Sequence, residues 1–464
     1  MKIGKLLLST IILAFALGAC EEDEITAPVT VNFSSTEAGI SSSASQAEIN
    51  VVFSRPVPFE GSIQLTISSG SLIYGTAEDF YTSPEAANDQ LELPFSEGDE
   101  SVTFTVFSGE GLNIEQDESI SFSFSENTSS DIIAGQNAEI SVTFSENFVA
   151  SDGVIEMNAG GAEFPLQAFV DLSKTSQSNI EKYSWDLGFY SNEGEFYVIL
   201  NSAAGTMARP LDTNDLNAVT AEDTIGFAFD MTIPPPNFDP SIGSVAWIDT
   251  PDGNLETTAF GEISSTDSEN NVFIIKRDGE RNWKKVRVVR NGEGYTVQYA
   301  DINATSFESA EITKDAAYNF TFYDLDNGIT IVEPEKDSWD IMYSTYTEIL
   351  NLGAPGTDIP YLFNDYIIIN RYEVEVTMVM SAEVSFEDFT LTHLENLEFN
   401  SEINSIGSNW RQGGGPGSAP ALFDDRYFVL KDAEDNIYKL LFTRLTSTSG
   451  ERGYPEFRYE LVNE

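Results

Sequence analysis

Histidine and cysteine are almost missing from this chain, with one of each, His393 and Cys20, in 464 residues. That scarcity removes most nucleophilic triads and every histidine-rich metal site. No intrachain disulfide can form from one cysteine, so stability must come from burial. Basic residues are also scarce. Lys and Arg number 23 against 76 Asp and Glu, for a net charge of −53. Such a chain is excluded as a nucleic-acid binder, which needs a cationic surface. It has little attraction for anionic lipid, but it stays soluble and favours divalent cations. With carboxylates everywhere, no pair stands out as a glycosidase couple. Long apolar runs are limited to Leu6–Leu17, well short of the roughly 20 residues of a spanning helix. No long amphipathic helix pattern is present.

The start of the chain has its own grammar. Lys2 and Lys5 precede the apolar run, which ends Leu17-Gly18-Ala19-Cys20. This resembles the lipobox of bacterial lipoproteins. The resemblance implies a signal peptide over residues 1–19, cleavage before Cys20, and a diacylglycerol thioether on that cysteine. Residues 20–28 then form an acidic tether. Its Glu21-Glu22-Asp23-Glu24 is similar to the export tag of Bacteroidetes lipoproteins, which implies a lipid-anchored place on the outer membrane, facing the cell exterior.

The rest can build cores, with 41% hydrophobic and 12% aromatic residues. The pattern is all-β. Runs such as Ala47–Phe53, Ser101–Phe107 and Ser119–Phe124 alternate with period two and are separated by Gly, Pro, Asn and Ser clusters. A first unit is expected at 29–147. It carries Tyr74-Gly75-Thr76-Ala77-Glu78-Asp79-Phe80, then Asn113–Phe122, and a late turn at Ala134-Gly135-Gln136-Asn137. Together these resemble the Calx-beta domain, which implies a seven-stranded immunoglobulin-like sandwich. The resemblance also implies calcium at acidic loop residues, here Glu37, Asp79, Asp117 and Glu118. Calcium needs six to eight oxygens, and the closing acidic run is reduced to Ser145-Glu146-Asn147. A structural spacer without calcium is the competing reading.

The remainder is duplicated. Glu181–Leu187 recurs as Glu335–Ile341, with Trp185-Asp186 and Trp339-Asp340 spaced by 154 residues. Phe169–Leu172 recurs as Phe322–Leu325, and Phe273–Asp278 is echoed by Phe428–Asp432. Repeats of this length are whole β modules, here 148–315 and 316–464, expected to pack as one body. Each Trp is expected inside a strand as a core anchor, and each Asp to hold a turn or a backbone amide.

In the second copy, Tyr318–Phe322, Ser338–Tyr343, Asn409-Trp410, Gly413–Pro416, Asp425–Asp432 and Asn436–Phe442 occur in an order similar to the HmuY family. Those are secreted all-β haem-binding lipoproteins of Bacteroidetes. The resemblance implies a duplicated antiparallel β module, no enzyme activity, and delivery of haem or a related porphyrin to a TonB-dependent outer-membrane receptor. The family's histidine positions are not matched in 410–420. Axial ligands can be His, Met, Cys or Tyr. The candidates are therefore His393, read in an alternating strand, Met378 and Met380 on one strand face, Met207 after the Ala203-Ala204-Gly205 loop, and Met231 before three prolines. Tyr190, Tyr197, Tyr343, Tyr346 and Trp410 lie near Gly-rich loops, where they could stack on a flat ligand. The rival function is an adhesive or structural surface lipoprotein, calcium-stiffened, that binds a protein or carbohydrate.

Overall fold

The computed structural model describes residues 28–41, 45–112, 117–125, 132–227, 245–277, 281–351, 358–414 and 419–462. The lipobox, Cys20 and Met231 lie outside them. Strands dominate throughout, and among the described residues no helix is long and apolar enough to cross a membrane.

The first unit begins with β1 (Val29–Phe33), β2 (Glu37–Ile40), β3 (Gln46–Phe53), β4 (Gly61–Ser68) and β5 (Phe80–Ser83). It continues with β6 (Gln90–Phe95), β7 (Ser101–Ser108), β8 (Glu118–Phe124), β9 (Ile132–Ala134) and β10 (Glu139–Phe144). These form two five-stranded sheets, β5-β7-β3-β1-β9 and β2-β10-β8-β4-β6. The count exceeds the seven strands expected by three, because the first and last strands each break and the short edge strand β5 adds another. β1 and β9 pair in parallel in one sheet, while β2 and β10 pair in parallel in the other. Period-two alternation places Ala47, Ile49, Val51 and Phe53 of β3 inward, against an aromatic core that includes Phe33, Phe80, Phe104, Phe122 and Phe144. Each fully buried phenylalanine contributes roughly 2 to 3 kcal/mol by removing its ring from water.

Downstream come β11 (Asp152–Glu156), β12 (Leu166–Asp171), β13 (Ser176–Glu181), β14 (Leu187–Tyr190) and β15 (Val198–Leu200). Next are β16 (Met207–Pro210), β17 (Phe273–Lys276), β18 (Lys284–Asn291), β19 (Gly294–Asp301) and β20 (Glu308–Ile312). The second copy opens with β21 (Phe320–Asp324), β22 (Gly328–Thr330), β23 (Ile341–Leu350), β24 (Ile359–Ile369) and β25 (Glu375–Met380). It closes with β26 (Arg411–Gln412), β27 (Ala421–Leu422), β28 (Arg426–Lys431), β29 (Ile437–Arg444) and β30 (Glu456–Leu461).

The copies exchange strands. Hairpin β12/β13 of the first completes a sheet with β23 and β24 of the second, and hairpin β21/β22 of the second completes one with β14 and β15 of the first. β11 likewise joins the second copy's sheet β30-β29-β28-β25. Sheet β16 to β20 draws on the first copy alone.

Reciprocal contacts hold the exchange. Asp340 Oδ2 accepts the Leu172 N–H at 2.7 Å, and Asp186 Oδ2 accepts the Leu325 N–H at 2.9 Å. Asn201 donates to the Lys182 and Trp185 carbonyls, and Asn370 donates to those of Lys336 and Trp339. Each Trp-Asp pair sits in the turn just before its strand rather than inside it. There the carboxylate reaches the partner hairpin's first orphan amide.

The two latches differ in charge. Arg277 Nε pairs with Asp186 at 2.9 Å, and Arg281 adds a second cation at 3.0 Å. At the position equivalent to Arg277 the second copy has Asp432, which is spent on the amides of Glu434 and Asn436. Burial pushes the carboxyls of Asp171, Asp340 and Asp432 above the ordinary range.

Candidate functional site

Among the described residues, two concave features of the duplicated body bear on function. The larger is a cleft of about 520 Å³ in the second copy, bounded by Tyr361–Asn364 of β24, by Arg411, Gly413, Gly414 and Pro420 around the β26/β27 ribbon, and by Arg452. That volume is within the range of about 300 to 1,000 Å³ typical of small-molecule sites.

Its floor is built around Asp365. The register of β23 on β24 slips between Ser344 and Tyr346, and Asp365 takes the left-handed conformation there with φ of 52°. Its fully buried carboxylate accepts the Tyr343 hydroxyl at 2.8 Å. Arg411 Nε stands 3.5 Å from it, and Arg452 Nη2 donates to it directly. Arg411 also donates to the Asn364 and Asp365 carbonyls. Two guanidiniums against one carboxylate leave the cleft floor positive, in a chain whose net charge is −53. Burial pulls Arg411 below its ordinary pKa, with Asp365 opposing the shift. Tyr361 and Phe363, one strand face apart by two residues, supply an aromatic wall with ring centroids 5.1 Å apart.

The smaller feature is a partly open cavity of about 90 Å³ where the exchanged hairpins meet, with exposed Asn254 at its edge. Trp185 packs edge-on against Phe322 with centroids 4.7 Å apart, and Trp339 against Phe169 at 5.0 Å. The Trp185 N–H donates to Gln167 at 2.9 Å, whereas the buried Trp339 N–H finds no acceptor. Both tryptophans are thus core anchors, as the sequence suggests.

The family comparison falls on the copy that holds the cleft. Residues 316–459 match the HmuY protein family. The HmuY segment therefore begins with the exchanged hairpin β21/β22 and ends in β30, so its sheets are completed by β11, β12 and β13 from outside it. No curated protein matches the chain. Among solved structures, apo PinO from Porphyromonas gingivitis is 10% identical, covering 68% of this chain and 98% of its own, with a TM-score of 0.22. A Bacteroides vulgatus protein described as HmuY-like and heme binding is 8% identical, with coverages of 68% and 93% and a TM-score of 0.19. The apo-form Calx CBD1 domain is 17% identical, covering 25% of this chain and 95% of its own, with a TM-score of 0.21.

The structure does not gather the sequence-derived ligand candidates. Met378 and Met380 do share a face of β25, but neither lines the cleft or the cavity. Met378 is 43% exposed with its sulfur 3.8 Å from Arg426 Nη1. Met207 follows the Ala203-Ala204-Gly205 turn at the start of β16, fully buried in a cluster with Phe227 and Ile274. His393 is not in a strand. It lies in a 3-10 segment, Leu391–Asn396, where its Nδ1 accepts the Thr390 N–H at 3.0 Å and caps the turn. Met231 falls outside the described residues. Of the aromatics, Trp410, Tyr343 and Tyr346 are buried, Trp410 stacking on Phe442 at 4.6 Å, so none of the three presents an open stacking face. Tyr190 and Tyr197 are half-buried beside Tyr295, away from the cleft.

The four calcium candidates are spent separately. Glu37 accepts the Ser151 amide at 2.6 Å and its hydroxyl at 2.8 Å, which joins the sandwich to the body. Asp79 accepts the Ile73 N–H at 2.7 Å, Asp117 the Ser145 hydroxyl, and Glu118 the Ser71 hydroxyl. Among the described residues no group of three or more His, Cys, Asp or Glu side chains could hold a metal ion.

Sequence reasoning missed Asp365, Arg411 and Arg452 as site residues. The available signal was scarcity, 23 basic residues in 464, with Arg411 and Arg452 each within two residues of glycine.

Proposed function

We propose that the chain is a non-catalytic surface lipoprotein that captures haem or a related porphyrin in the cleft of its HmuY segment, for delivery to a TonB-dependent outer-membrane receptor. The observation that carries this is the pairing of an aromatic wall, Tyr361 and Phe363, with the cations Arg411 and Arg452 in one cleft of about 520 Å³. A planar apolar ring bearing two carboxylates needs that combination: area to stack on and guanidiniums to meet its acids. Of the residue types that ligate haem iron, the described lining contains a single tyrosine, Tyr361. The adjoining segments 352–357 and 415–418 contain no His, Met, Cys or Tyr in sequence. Recognition in this reading rests on the ring and its acids, with iron held by Tyr361 or left without a protein ligand.

The acidic tether holds the sandwich and body at the outer face of the outer membrane through the lipid on Cys20. The sandwich acts as a spacer, joined to the body at Glu37–Ser151.

Titration of residues 28–464 with haemin and with iron-free protoporphyrin IX tests the proposal. Saturable binding of both, within about tenfold of each other and weakened about tenfold or more by Arg452→Ala, is the expected result. A flat titration with both ligands would overturn it and leave the adhesive reading.

A further inference from the structure

The smaller cavity has chemistry that the cleft proposal does not use. It sits where the two exchanged hairpins meet, walled by Trp185, Phe322, Trp339 and Phe169, and Arg371 reaches it from the end of β24. This guanidinium donates to the Gly253 carbonyl at 3.2 Å and lies over the Phe320 ring at 5.0 Å. Among the described residues it makes no ion pair, although its surroundings are apolar and pull its pKa down. Arg371 is half-buried, and a partly desolvated cation without a paired counter-ion gains when an anion enters beside it.

The groups that act on Arg371 are Tyr190, Tyr346, Glu333 and Asp249. Both tyrosines are held neutral by burial. Both carboxyls are committed elsewhere. Asp249 accepts the amides of Leu200 at 2.6 Å and Ala259 at 2.9 Å, and Glu333 accepts that of Phe320 at 2.9 Å. Burial raises Asp249 to about 6 and Glu333 to about 7. At pH 5.5 both are therefore mostly protonated and Arg371 stands without a compensating charge. At pH 8 both are ionised and repel an entering anion.

Size limits what can enter. The cavity measures about 90 Å³. An apolar core cavity of about 150 Å³ takes up benzene. The occupant must be smaller, with an apolar tail for the indole and phenyl walls and a planar acid for the guanidinium fork. We infer that the cavity between the two copies is a binding site for a short-chain monocarboxylate of two to four carbons, held by Arg371. The site is separate from the cleft, and each of its two ring pairs joins one ring from each copy.

Residues 28–464 are titrated with sodium propionate at pH 5.5 and pH 8, with sodium chloride as the ionic-strength control. Tryptophan fluorescence follows the five tryptophans, of which Trp185 and Trp339 line the cavity, and 19F NMR of 3,3,3-trifluoropropionate reports binding directly. Expected are saturable millimolar or tighter binding at pH 5.5, at least tenfold weaker binding at pH 8, and loss in Arg371→Met. Octanoate, too large for the space, should bind at least tenfold more weakly than propionate. Arg452→Ala, which alters the cleft, should leave propionate binding unchanged, so failure of one site is distinguishable from failure of the other. No fluorine line broadening with the wild-type protein at 50 mM probe would overturn the assignment without any variant having to fold. Binding that persists in Arg371→Met, or octanoate binding as tightly as propionate, would also overturn it.

Discussion

Glu333 offers the sharpest test of the electrostatics inside the body. Its side chain is 4% exposed and accepts one backbone amide, that of Phe320, at 2.9 Å, with the Asn319 amide more distant at 3.5 Å. Burial dominates and raises its pKa from 4.5 to about 7, with the hydrogen bonds and Arg371 opposing. A folded-state pKa above the unfolded one means that the native protein binds this proton more tightly. The corresponding stability is complete below pH 4.5 and is lost as pH rises through 7. The span from 4.5 to about 7 corresponds to about 3 kcal/mol once the group is ionised. Glu333→Gln keeps an acceptor for the Phe320 amide but cannot ionise. Its melting temperature should match the wild type at pH 5 and exceed it by about 4 to 8 °C at pH 8. Calorimetry of both proteins at both pH values measures this. An equal difference at the two pH values, or a destabilised variant at pH 8, would refute the reasoning. The latter would mean that attraction to Arg371 outweighs desolvation.

The two latches should respond differently to the same change. Asp186→Asn removes one carboxylate from buried Arg277 while its pair with Asp326 at 2.6 Å remains, and is expected to destabilise by about 1 to 3 kcal/mol in denaturant unfolding. Asp340→Asn keeps an acceptor for the Leu172 amide and relieves the acidic group of Asp171 and Asp432, so it should cost under about 1 kcal/mol or stabilise. Equal losses would show that the missing cation at Asp432 has no energetic weight. Calcium at 1 mM should shift the melting of residues 28–464 by less than about 1 °C, because Glu37, Asp79, Asp117 and Glu118 are separately bonded. A larger rise removed by Asp117→Ala would show that they converge on an ion. Cys20→Ala should abolish incorporation of labelled palmitate and release the full-length chain from the membrane fraction. Retention in the membrane would overturn the lipid anchor.

Period-two alternation in β3, β7 and β8 was enough to read an all-β chain, because side-chain direction in a strand is a local property. The spacing of the Trp-Asp motifs was enough to read the duplication, and the order of motifs after Tyr318 pointed to the HmuY segment at 316–459. Trp185 and Trp339 were legible as core anchors because a large indole flanked by apolar residues has few other places to go. What failed were the inferences that needed neighbours. Met207 and His393 belong to residue types that can ligate iron, yet one fills a core and the other caps a turn.

The sequence by itself determined the all-β class, the period-two strands of the first unit, the internal repeat that follows it, and that a lone cysteine follows an apolar leader. All of these are set within a few residues along the chain. Only the tertiary structure decided that hairpin β12/β13 pairs with β23 while β21/β22 pairs with β14. Strand pairing is non-local, and either copy's hairpin presents the same alternation to either partner. Folding of the second copy brings Asp365 and Arg452 together from 87 residues apart, with Arg411 between them in sequence, and the exchange sets Arg371 against walls drawn from both copies. Sites of this kind are sums of side chains distant in sequence, and no local pattern encodes their meeting.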